Sequence, residues 1–323
     1  MKKRKIIITI VITVLVLALL LSIGIFAMVG VGFMNTVKRP ELSGAPMPMD
    51  VSFYENSPHK AASEKGMEYM KTVPCEEVWI ESYDGLKLRG QFFPAPNGDR
   101  SKVVLGIHGF RSAARHEYGP YIEFYHSLGY SMLLPDNRAH GESEGDYMGL
   151  GILDRLDCIS WANYLVDTCG EDVQILLHGV SMGGATVLAA SGEDTLPEQV
   201  FGIVSDCGFT SMKEQTIDSL KKQGLPEFPF FNIVDFFCKT MAGYDLHSIT
   251  ALEQVTKAKV PILFVQGMQD PFVPAENAQR LYDACASEKR LLLVDGAAHA
   301  ESIAVAPEEY HQTLIEFFDL KNR

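Results

Sequence analysis

Ser181 lies in the stretch "LLHGVSMGGATVLAASG", residues 176–192, where Gly179 and Gly183 flank it in a G-x-S-x-G pattern. A serine hydroxyl is a weak nucleophile near neutral pH and needs a base within hydrogen-bond reach. Among the nine histidines, His299 is the candidate base, because it follows the apolar run "LLLVDGAA" and precedes a closing helical segment. A carboxylate must then hold the imidazole in one tautomer and stabilise its protonated form. Asp270, directly after "ILFVQGMQ" and ahead of Pro271, is placed for that task; Asp206 in "VSDCGFTS" is the competing acid, while Asp295 lies too close to its strand end. The chain order Ser181, Asp270, His299 is the order expected of G-x-S-x-G hydrolases. The chemistry implied is acyl transfer: attack of the hydroxyl on a carbonyl carbon, with the imidazole first taking and then returning the proton.

Such a serine is useful only on an elbow. "VQILL" reads as a buried strand and "GATVLAA" as a helix packed by small residues. Glycines permit the sharp turn between them, and the residue after Ser181 would present its N–H at the helix N-terminus. The other candidates also stand where apolar strands stop. "KVVLGIHG", "YSMLLPDNRAHGES", "VFGIVSDCGF", "VPILFVQGMQD" and "KRLLLVDGAAH" are strands running into loops, and "EEVWIES" and "LKLRGQFFPA", split by "YDG", form a hairpin. "YGPYIEFYHSLG", "GILDRLDCISWANYLVDTCG" and "PEEYHQTLIEFFDLKN" read as helices. Apolar strands alternating with helices call for a mostly parallel sheet covered on both faces, with ligands bound beyond the carboxyl ends of the strands.

With these parts in order, the sequence resembles the α/β-hydrolase superfamily, in its serine esterase, lipase and peptidase branch. The resemblance covers roughly residues 76–320: "HGF" at 108–110 is similar to the H-G-x oxyanion loop after the third strand, and "DNRAHGES" at 136–143 to the D-x-R-G-H-G-x-S segment, with Ala139 replacing a glycine. It implies an oxyanion hole made by the backbone N–H groups of Phe110 and Met182, and loop-bracing roles for His108 and His140. His178, ending the strand before the elbow, reads as a packed core residue; His59, His116 and His311 read as surface loop histidines. Arg111, beside the oxyanion loop, reads either as a partner for a substrate carboxylate or as one half of a structural salt bridge. No metal or organic cofactor is implied.

The amino terminus is a separate matter. "MKKRK" precedes 29 uncharged residues from Ile6 to Met34. As a helix they would span about 43 Å, against ~30 Å for a hydrocarbon core. That is far longer than the apolar region of a cleaved signal peptide, which stays the rival reading. Four basic residues before the span, against Lys38 and Arg39 after it, put the N-terminus in the cytoplasm and the rest outside the cell membrane, as a single-pass protein. The expected organisation is a basic tip and anchor over 1–34, a linker over 35–75 with a short helix around "HKAASEKGMEYMKT", and a hydrolase domain over 76–323. Within it, 207–256 breaks the strand–helix rhythm and reads as a small helical cap. Its five phenylalanines in "LPEFPFFNIVDFFCKTMAGY" suit an apolar acyl group, or simply bury one another.

The formal charge is −13, and beyond residue 34 the chain carries 24 basic against 41 acidic residues. A domain so acidic is a poor partner for nucleic acid. Six cysteines without a C-x-x-C pair read as free thiols, although Cys158 and Cys169 are near enough in sequence to pair in an oxidising compartment. The resulting expectation is a membrane-anchored serine hydrolase acting on carboxylic esters, thioesters and lipids included. Peptide hydrolysis is the alternative, and a catalytically silent tethered binding module the third.

Overall fold

The computed structural model describes residues 2–39 and 57–323. The stretch with Pro40, Gly44, Pro46 and Pro48, read as a tether, lies outside the described residues. Eight strands form one sheet in the order β1-β2-β4-β3-β5-β6-β7-β8. The expected hairpin is β1 (Glu76–Glu81) and β2 (Lys87–Phe93), antiparallel with Glu81 opposite Lys87. β2 also runs antiparallel to β4 (Ser131–Pro135), and from β4 onward neighbours are parallel: β3 (Lys102–Ile107), β5 (Gln174–Val180), β6 (Val200–Asp206), β7 (Ile262–Gly267) and β8 (Lys289–Val294). This is an α/β-hydrolase fold.

The apolar runs are continuous because alternate side chains enter two different cores. On one face Val104, Leu176, Val204 and Leu263 pack beneath Tyr118, Tyr121 and Tyr125 of α3 (Ala114–Ser127) and Tyr310, Leu314 and Phe318 of α11 (Pro307–Phe318). On the other, Val103, Leu105, Ile175, Leu177 and Phe264 meet Trp161 and Leu165 of α4 (Asp154–Cys169), Val187 and Leu188 of α5 (Met182–Ala190) and Leu281 of α9 (Glu276–Ala284). All the parallel strands end on one rim, and the candidate residues follow there.

Two additions sit on that rim. Helices α6 (Met212–Lys222) and α7 (Glu227–Phe237), a single π turn at Cys238–Ala242 and the short α8 (Ala251–Gln254) fill the interruption in the strand rhythm. The five phenylalanines divide their tasks: Phe230 and Phe231 are buried, Phe228 is exposed, and Phe236 and Phe237 pack against Phe26. The second addition is α1 (Lys2–Val37), which continues past the uncharged run to Val37. It is long and apolar enough to cross a membrane, yet its last turns pack on the protein, with Val29, Phe33 and Val37 buried. A short helix, α2 (Pro58–Met70), capped by the Ser57 hydroxyl, lies against α3 and α10 (Ser302–Val305).

Candidate active site

Ser181 stands between the end of β5 and the start of α5 with φ +56° and ψ −116°, a conformation that ordinary L-residues avoid. Its amide donates to the carbonyl of Asp206 on the adjacent strand at 2.8 Å. The flanking glycines are required by close approach: a Cβ on Gly183 would run into the carbonyl oxygen of Ile107 at the end of β3, and one on Gly179 into the carbonyl of Gly183. The elbow is thereby wedged against β3 and turned so that the hydroxyl points off the rim.

His299 reaches it. Its Nε2 lies 2.8 Å from Ser181 Oγ, and its Nδ1 lies 2.7 Å from Asp270 Oδ2. Asp270 is held from four directions. Oδ1 accepts the amides of Phe272 and Val273 at 2.8 and 2.9 Å, while Oδ2 accepts Gln266 Nε2 at 3.0 Å besides the imidazole. Burial alone would raise the Asp270 pKa, but the His299 ring and the two amides outweigh it and hold the carboxyl below its ordinary value. Burial alone would likewise lower the His299 pKa. The Asp270 carboxylate wins there too, with smaller help from Glu117 and Asp206, so the imidazole sits above the ordinary histidine value.

Asp206, the rival acid, is engaged elsewhere. Its carboxylate accepts the hydroxyls of Tyr121 at 3.2 Å and Tyr310 at 3.0 Å, and burial pushes its pKa up to about 7. His178 shares that chamber, with Nδ1 2.9 Å from Tyr125 Oη, and burial lowers its pKa to about 3. It is a packed core residue, as expected.

The loop after β3 is braced by the "DNRAHGES" segment. His108 Nε2 accepts the amide of Asn137 at 3.1 Å, so its Nδ1–H is the donor to the Gly109 carbonyl at 2.8 Å. His140 Nε2 accepts the amide of Arg111 at 3.1 Å, and its Nδ1–H donates to the Arg138 carbonyl at 2.9 Å. Each ring nitrogen accepting an N–H requires a neutral ring, and burial lowers the two pKa values to about 4 and about 3. Arg138 in turn forms a buried ion pair with Asp157 and a second, at the surface, with Asp84. Gly109 faces the serine so closely that a Cβ there would lie 3.3 Å from Ser181 Cβ. Among the described residues, no protein acceptor takes the amide of Phe110 or of Met182.

Several sequence expectations are corrected. Arg111 forms no salt bridge among the described residues; its guanidinium donates to the Asn35 carbonyl at the end of α1, 2.9 Å away. His59 is buried at the start of α2, because that helix packs beside the His299 loop, and Ser57 Oγ donates to Glu301 Oε1 at 2.5 Å. His116 lies on α3 rather than in a loop, and His311 lies on α11 with its ring stacked on Phe124. The cysteines, read from the sequence as free thiols, need no correction: all six are free, Cys158 and Cys169 included.

Other supporting residues went unnoticed in the sequence. Gln266 is a fully buried amide in the strand "ILFVQG", and a polar residue inside such a run was the available signal. Glu301 Oε2 accepts the amide of Ala298 at 3.1 Å, bracing the histidine loop, but nothing in its sequence context marks it. Among the described residues, two clusters could geometrically hold a cation. In Cys207, Asp270 and His299 a cation would displace the bond between imidazole and carboxylate, and burial raises the thiol pKa well above normal. In Asp235, Asp245 and His247 the Lys239 ammonium already bridges both carboxylates.

Comparison with known proteins adds four matches. The model of the prolyl oligopeptidase family matches residues 118–321. An uncharacterised Bacillus subtilis protein, YqkD, is 28% identical over 244 residues, covering 75% of this chain and 79% of its own length. The structure of the Pyrococcus furiosus esterase Pf2001 superposes with a TM-score of 0.63 at 26% identity, covering 78% of this chain and 94% of that one. The Butyrivibrio proteoclasticus enzyme Est1E with bound ferulic acid, at 18% identity and a TM-score of 0.59 over 75% of this chain and 99% of its own, shares the fold.

Proposed function

Since the chain belongs to the prolyl oligopeptidase family, we propose that it is a membrane-anchored serine hydrolase that cleaves carboxylic esters through an acyl-enzyme. The observation that carries this reading is the hydrogen-bonded row Ser181 Oγ, His299 Nε2, His299 Nδ1 and Asp270 Oδ2. Ser181 Oγ attacks the carbonyl carbon while its proton passes to His299 Nε2. The bond to the leaving alcohol breaks, and that proton leaves on the alcohol. Water then attacks the acyl-enzyme, giving one proton to His299, and the carboxylic acid departs as Ser181 regains its hydrogen. Asp270 fixes the tautomer and stabilises the imidazolium. The amides of Phe110 and Met182 serve the developing oxyanion, each worth on the order of 10²–10³ in rate. The anchor is the exposed part of α1, with Lys2, Lys3, Arg4 and Lys5 on the cytoplasmic side and the catalytic domain outside.

Likeness to an esterase at 26% identity supports the ester preference. The family model supports a second reading, hydrolysis of peptides by the same residues. Labelling with a fluorophosphonate tests the chemistry. Wild-type protein is expected to take the label and Ser181→Ala to lose it; a folded wild type that stays unlabelled would instead be a binding module. Comparing p-nitrophenyl esters with aminoacyl anilides separates the two substrates, and cleavage of anilides alone would overturn the ester preference.

A further inference from the structure

We propose that the site draws its substrate from the bilayer, as a long-chain acyl ester of a membrane lipid whose chain lies along the docked part of α1. This rests on the serine-hydrolase and anchor readings above.

The first observation is a change in α1 at Ile25. From Ile6 to Gly24 every residue is exposed. Those residues span about 28 Å as a helix, close to the ~30 Å of a hydrocarbon core. From Ile25 onward one face packs against the protein: Ile25, Val29, Phe33 and Val37 at i, i+4 spacing, with Phe26 and Gly30 beside them. The surplus length of the uncharged run is thus used for docking, and the lipid surface falls near Phe26.

At that level stands the cap. The Phe26 ring packs 5.6 Å from Phe236 and 5.0 Å from Phe237, and Phe236 keeps 48% of its surface exposed. One apolar cluster then continues from the lipid level to the serine. Val29, Phe33 and Val37 share it with Phe230, Phe231, Phe209, Val273 and Met182, and Phe110 packs at its edge. The distance along α1 from Phe26 to Val37 is about 16 Å.

The end of α1 is fixed to the site as well. Arg111, next to Phe110, donates to the Asn35 carbonyl. Arg39 donates to the carbonyls of Gly141 and Ser143 at 2.7 Å, in the same segment whose His140 holds the Arg111 amide. The rim with Ser181 is therefore bound to the membrane-proximal helix. An acyl chain sliding between α1 and α7 would exchange apolar contacts for apolar contacts, at little cost in dispersion energy. Hydrolysis follows the steps above, with water as co-substrate and the fatty acid and alcohol as products.

The test uses the full chain reconstituted in phosphatidylcholine vesicles. Release of palmitate from monopalmitoylglycerol dissolved in the bilayer is compared with hydrolysis of p-nitrophenyl butyrate in water, and the ratio of the two rates is the readout. Gly30 faces the Phe237 ring, where a Cβ would meet its edge at 2.7 Å. Gly30→Leu is expected to lower the ratio about ten-fold. Phe236→Asp, at a half-exposed position beside Phe26, is expected to lower it similarly by placing a charge at the lipid surface, with fluorophosphonate labelling of Ser181 showing that the variant is folded. Absence of palmitate release, or a ratio unmoved by both variants, while fluorophosphonate still labels Ser181, would overturn the lipid route and leave the hydrolase reading standing. Failure of labelling and of both substrates would overturn both.

Discussion

Asp270 and His299 illustrate how two buried groups settle each other's charge. Burial disfavours the charged form of each, yet their mutual attraction outweighs it in both directions. Only a neutral imidazole can take the Ser181 proton, so kcat/KM must fall as pH drops through the His299 pKa. Because that value is raised, the acid limb is expected above pH 6.5, the ordinary histidine value. Asp270→Asn removes the largest contribution raising it. The limb should then shift to lower pH, and kcat should fall by about 10³–10⁴-fold from loss of the correct tautomer. A pH–rate profile of both proteins checks this; an unmoved limb would assign the titration to another group. Both His108 and His140 stay neutral across this range, so they add no step to the profile.

At the level of elements, the elbow depends on how closely β5 and α5 can approach β3. Gly183 touches the Ile107 carbonyl so tightly that no side chain fits. Gly183→Ala must push α5 away from β3, and overpacking of this kind costs about 1–3 kcal/mol. The expected result is a lower denaturant midpoint together with slower fluorophosphonate labelling, since the same shift moves Ser181 from His299. A stable variant that labels at the wild-type rate would show that the elbow tolerates displacement. The chamber of Tyr121, Tyr125, Tyr310, His178 and Asp206 beneath the elbow is fully buried and cross-linked by hydrogen bonds from the tyrosine hydroxyls, which gives that part of the rim a rigid floor.

At the scale of the whole molecule, charge is distributed so that all four basic residues of the first 34 precede the apolar span, while the remainder is strongly acidic. Under the proposed topology, protease added to intact cells should remove the catalytic domain and leave a short, membrane-bound N-terminal fragment. Protection in intact cells with digestion only after lysis would reverse the orientation.

The amino-acid sequence by itself determined the strand and helix pattern, the elbow around Ser181, the apolar amino-terminal run and the short set of acids and bases worth comparing. These are local matters: periodicity, glycine position and uncharged length are written within a few turns of chain. Gln266 was legible only as a polar residue in an apolar strand, and Glu301 not at all. Tertiary structure alone decided that His299 meets Asp270 while Asp206 turns to two tyrosines, that Arg111 ends on the Asn35 carbonyl, and that the last turns of α1 belong to the domain. The physical reason is that such partnerships join residues tens to hundreds of positions apart. Their distances are set by sheet register and by which helix faces pack together, and no short window of sequence records either.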